Sequence, residues 1–73
     1  MDERLTNVIT TLIIAYYNVG VQYEFLKSFV NSQFYFQQGL EISKKELPPS
    51  HILISKLQKC QREVQRKAQV FLN

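Results

Sequence analysis

The sequence predicts an all-α protein. Three observations carry that expectation: apolar residues recur at helical three-and-four spacing, no stretch alternates apolar and polar residues as a half-buried strand does, and the only two prolines sit together at 48 and 49. The architecture expected is an antiparallel helix hairpin followed by a third, amphipathic helix, all within one small domain spanning residues 1–73. The hairpin is placed at 5–45, a proline turn at 46–50 and a capping helix at 51–71.

The first helix is expected from about Leu5 to Leu26, with Leu5, Val8, Ile9, Leu12, Ile13, Tyr16, Val19, Gly20 and Tyr23 forming one stripe. Ile14, Ala15, Tyr17, Val21 and Phe25 point elsewhere, so more than one side of this helix needs cover. At Lys27-Ser28 the pattern resets, with Ser28 as the expected N-cap. The second helix then carries Phe29, Ser32 or Gln33, Phe36, Gly39 and Leu40 on its stripe and runs to about Lys44. So short a connection forces an antiparallel hairpin.

In KKELPPSH the lysines complement the end of a helix dipole, the prolines stop the helix, and Ser50 is the expected cap of the next one. The third helix is expected from about His51 to Phe71. Leu53, Leu57, Cys60, Val64, Ala68 and Phe71 form its apolar stripe, opposite a basic stripe of Lys56, Lys59, Arg62, Arg66 and Lys67.

Glycine costs a helix interior roughly 1 kcal/mol relative to alanine, so its retention points to a close approach of another helix. Gly20 shares a stripe with Tyr16 and Tyr23, and Gly39 shares one with Phe36. Each is a notch between aromatics. This pattern resembles the tetratricopeptide repeat, a helix hairpin of 34 residues per unit. Tyr16, the pair Val19-Gly20 and Tyr23 stand at the family's first-helix positions; Phe29, Ser32, Phe36 and Gly39-Leu40 stand at those of the second. Lys27 departs from the glycine usual in the turn, and Lys44 from the closing proline. The late Pro48-Pro49 and the string LPPSH look like the longer repeat of kinesin light chains.

The resemblance implies helix packing through Tyr16, Val19, Gly20, Tyr23, Phe29, Ser32, Phe36, Gly39 and Leu40. It further implies a groove for a partner peptide or helix on the other side of the first helix, at Ile14, Tyr17, Asn18, Val21 and Phe25. The same residues would equally serve packing against another subunit. Repeats of this kind do not bury their own apolar faces alone, so a homo-oligomer or a place in a larger assembly is expected.

Composition excludes several classes. The net charge of +3 is concentrated: residues 56–73 hold five basic residues against Glu63 alone, whereas residues 1–55 hold four against five acidic ones. That tail offers an alternative reading, docking on an acidic surface such as a tubulin-like tail, but no aromatic is interleaved for base stacking and nucleic acid is disfavoured. No nucleophile, paired carboxylate or phosphate loop marks an enzyme, and no cofactor is expected. One cysteine and one histidine, Cys60 and His51, exclude an internal disulfide and fall short of a zinc site within one chain. The apolar run at 8–21 is too short to span a bilayer and MDERLTN does not match a secretory signal, so a cytoplasmic protein of scaffold type is expected, with a cytoskeletal or ciliary assembly the preferred setting.

Overall fold

The computed structural model describes residues 2–72, the last two by their backbone alone, so Phe71 as a stripe residue lies outside the described side chains. Three helices follow one another: α1 (Glu3–Phe25), α2 (Phe29–Glu46) and α3 (Ile52–Leu72). The all-α hairpin with a third helix is the fold observed. The described residues contain no strand.

α1 begins two residues earlier than its apolar stripe because Asp2 caps it. The Asp2 carboxylate accepts from the Arg4 N–H at 2.9 Å, and its backbone carbonyl accepts from Thr6 N–H at 3.0 Å. The far end closes as a Schellman motif: Ser28 N–H donates to the Tyr23 carbonyl at 2.9 Å and Lys27 N–H to that of Glu24 at 3.0 Å. Such a motif places its turn residue in the left-handed region, and Lys27 is there with φ 61°. A lysine occupies a site that glycine would fill without steric cost.

Ser28 stands at the start of α2 as expected, but its hydroxyl does not cap the helix; it accepts from Asn31 Nδ2 at 2.9 Å. α2 runs on to Glu46 and stops at Leu47, whose extended backbone (φ −113°, ψ 156°) is the one the following proline requires. Pro48 to His51 form a tight turn closed by His51 N–H on the Pro48 carbonyl at 2.9 Å. The cap of α3 is His51 and not Ser50: His51 Nδ1 accepts from Leu53 N–H at 3.1 Å. The turn has already rotated Ser50 out to solvent.

α2 is the central element, packed against both α1 and α3, while α1 and α3 barely meet. The core is Ile13 from α1, Phe36 and Leu40 from α2, Leu47 from the linker, and Ile54, Leu57 and Val64 from α3. Leu53 and Cys60, expected on the α3 stripe, pack against this core only in part, because the stripe is rotated toward Ile54.

The two glycines sit at the closest helix approaches. A methyl group on Gly20 would lie 2.6 Å from Cδ1 and Cε1 of Phe36; one on Gly39 would lie 3.3 Å from Tyr16 Cβ and 3.5 Å from the Leu57 methyls. Ser32 uses the same proximity, its buried hydroxyl donating to the Gly20 carbonyl at 2.7 Å. A second buried serine, Ser43, donates to the Gly39 carbonyl at 2.7 Å. Both hydroxyls are fully buried and satisfied by helix carbonyls.

Candidate functional site

Two surfaces of α1 carry the candidate residues. On one flank α1 faces α3 across a cleft of about 330 Å³ lined by Tyr17, Glu24, Lys56, Lys59, Cys60, Glu63 and Lys67. The expected partner-binding residues divide here. Tyr17 and Val21 are half-buried and packed on the core, the Tyr17 ring lying 6.1 Å from that of Phe36, whereas Ile14 and Asn18 are exposed and Phe25 is 82% exposed. Tyr17 is therefore both a wall of the cleft and a support of the hairpin.

The basic stripe also divides. Lys67 turns into the cleft and pairs with Glu24 at 2.7 Å, a carboxylate whose side chain is only 19% exposed. Lys56 lies over the Tyr17 ring, 4.8 Å from its centroid. Arg66 pairs with Glu63 at 3.2 Å in the open. Lys59 lines the cleft, and Arg62 faces solvent. Much of the charge expected to form one continuous field is thus spent on contacts within the chain. The Glu24–Lys67 pair spans 43 residues and joins the two ends of the fold, so no local spacing announces it.

Cys60 closes the floor of this cleft. Burial pushes its thiol above its ordinary pKa, and the nearby Glu24 carboxylate adds to the effect against the opposing pull of Lys56 and Lys59. A thiol held protonated in this way is a poor nucleophile. Among the described residues no three His, Cys, Asp or Glu side chains gather as a metal site needs.

The second surface is the other flank of α1, away from α3. Tyr35 of α2 stacks on Tyr23 (centroids 5.5 Å, 12° between planes), tilts against Tyr16 at 6.1 Å, and meets the edge of Phe34 at 5.2 Å and 90°. Beside this cluster, Leu12, Ala15, Tyr16, Val19 and Tyr35 line a shallow apolar depression of about 120 Å³. Of the expected packing set, Gly20, Ser32, Phe36, Gly39 and Leu40 are buried and Tyr16, Tyr23 and Phe29 half-buried. Val19 departs from the set: it is 37% exposed, because its position on the helix turns it toward this open flank and not toward α2.

No helix among the described residues is long and apolar enough to cross a membrane. Compared with known protein families, with curated proteins and with solved structures, the chain matches none.

Proposed function

We propose that this protein is a non-catalytic interaction or scaffold subunit, built on a tetratricopeptide-like hairpin, that works inside a larger assembly. The observation that carries this reading is the apolar surface its three helices leave open. Leu5, Val8, Leu12, Val19, Leu26 and Phe34 are between 37% and 68% exposed, and Phe25 and Val30 more so. The accessible surface is 5244 Å² for a mass of 8.6 kDa. A compact monomer of that mass exposes about 4,700 Å². Apolar exposure on this scale supports an interface.

The family resemblance draws support from the close contacts at Gly20 and Gly39, and in this reading the α1/α3 cleft would serve as the inner groove. A cytoplasmic setting is part of this reading, supported by a single cysteine that cannot form an internal disulfide, and a cytoskeletal or ciliary assembly remains the preferred one. Docking on an acidic surface through the basic stripe is weakened by the internal pairing of Lys67 and Arg66.

Two measurements together test the proposal: the mass of the chain in solution, and its fluorescence enhancement of an apolar dye. An interaction subunit either associates or, as a monomer, binds the dye on its open flank. A monomer that does neither refutes the reading. Association that collapses between low and moderate salt would move the function to the basic stripe.

A further inference from the structure

The open flank of α1 carries a regularity that its depth of exposure makes informative. Leu5, Val8, Leu12, Ala15, Val19 and Gln22 follow one another at spacings of three and four, the a and d positions of a heptad repeat. All of them are exposed, and the four large apolar ones, Leu5, Val8, Leu12 and Val19, are exposed by 52%, 64%, 45% and 37%. Between Arg4 and Glu24 the helix carries no charged residue. A solvated face of that length normally carries several, whereas a coiled-coil seam carries none.

We propose that this seam pairs, antiparallel, with the same seam of a second copy of the chain. This rests on the interaction-subunit reading and names its partner. An antiparallel pairing about an axis between residues 13 and 14 sets Leu5 against Gln22, Val8 against Val19 and Leu12 against Ala15 of the second copy, each layer made twice. The central layers then combine one large with one small side chain, which is how facing positions interdigitate. At the edges, Thr11 comes beside Asn18, and Arg4 beside Phe25 of the second copy, covering the most exposed apolar side chain of the helix with a guanidinium.

Charge fixes the direction. The acidic start of α1, Asp2 and Glu3, approaches Lys27 at the far end of the second copy's helix, and the two helix dipoles oppose. A parallel pair would bring Asp2 and Glu3 against themselves. The area sets the strength: a 23-residue helix is about 35 Å long. A strip roughly 10 Å wide along it is about 350 Å² per partner, and Tyr16, Phe34 and Tyr35 enlarge it; that lies below the ~800 Å² of a standard specific interface and fits a weak, reversible pair.

The test is sedimentation equilibrium of the full chain from low to high micromolar concentration, with Leu12→Lys as the probe. Leu12 is half-exposed and outside the core, so the variant keeps its helical circular dichroism. The expected result is a mass of twice 8.6 kDa for the parent chain and a dissociation constant raised by about a hundredfold or more in Leu12→Lys. Spin labels on Glu3→Cys in a Cys60→Ser background read the direction: about 30 Å apart along the axis if antiparallel, within about 15 Å if parallel. A dimer that Leu12→Lys leaves intact overturns the seam, and a short label distance overturns its orientation. A parent chain that stays monomeric while binding the apolar dye overturns the second copy as occupant. That last result leaves the interaction-subunit reading standing with another protein, or a further helical segment, on the same flank.

Discussion

Replacing Gly20 with alanine sets two effects of opposite sign against each other. Helix propensity alone favours the alanine by about 1 kcal/mol. Against it, the new methyl would sit 2.6 Å from two ring carbons of Phe36, a side chain with no exposed surface. Carbon atoms rest at about 3.5–4.0 Å, so the ring or the helix must give way by about 1 Å. The ring cannot simply swing aside, since Tyr17 packs against it with centroids 6.1 Å apart. Overpacking of this kind costs about 1–3 kcal/mol. Separating the helices also stretches the 2.7 Å bond from Ser32 to the Gly20 carbonyl. Losing that bond leaves a buried hydroxyl without a partner, at a further 1–3 kcal/mol or so. The balance is a loss of about 3 kcal/mol, which in a domain of this size lowers the melting temperature by about 12–24 °C. Thermal unfolding followed by far-ultraviolet circular dichroism, at several protein concentrations so that association is held in view, measures it. An unchanged or raised melting temperature would refute the close-approach argument and leave propensity as the governing effect. A double variant supplies the internal check: Phe36→Leu makes room at Gly20, so Gly20→Ala with Phe36→Leu should cost at least about 1 kcal/mol less than the two changes summed.

The other glycine behaves differently. At Gly39 the nearest atoms stand at 3.3 and 3.5 Å, so in Gly39→Ala the gain in propensity and the cost of a slight shift offset, and stability stays within about 1 kcal/mol of the parent. Lys27→Gly removes a side chain from a left-handed backbone, φ 61°, and should stabilise by about 0.5–1 kcal/mol once the greater freedom of the unfolded glycine is allowed for; chemical denaturation reads this as a higher midpoint at constant slope. The Cys60 thiol, raised by burial and by Glu24, should be alkylated more slowly in the folded chain than in the unfolded one at neutral pH. Its sign in stability is negative with pH: the unfolded thiol loses its proton first, so stability falls as pH rises from the unfolded pKa through the folded one, and Cys60→Ala should abolish that slope.

The fold was legible because its signals are local. Three-and-four spacing, the reset at Lys27-Ser28 and the proline pair place all three helices, and the glycine notches name the contacts between them. The capping residues were less so: Ser28 and Ser50 have the right chemistry, yet the Schellman turn presents Ser28 to Asn31, and the proline turn hands the cap of α3 to His51. The site was legible only in part. Phe25, Asn18 and Ile14 remain on the surface as expected, but where α3 lands is set by the linker and its crossing on α2. Tyr17 and Val21 pack in part against the core, Tyr17 on Phe36 of α2, and Ile54 replaced Leu53 as the buried residue. The Glu24–Lys67 pair belongs to the same class of information: it exists only once three helices have been placed in space. Val19 shows the opposite case, since its exposed position follows from helical rotation alone and sits one step from Gly20 on a different flank.

The division of labour among the helices also governs how the molecule opens. α2 touches both neighbours, whereas α1 and α3 share only the core around Ile13 and Leu57 and two long side-chain contacts, the Lys67 amine on Glu24 and the Lys56 amine over Tyr17. Amide hydrogens should therefore exchange slowest along α2 and faster in the two outer helices, each able to lift away as a cooperative unit of its own. With α2 as the central post, a guest held between α1 and α3 would restrain both outer helices at once, and its arrival would be read as slower exchange in segments it never touches.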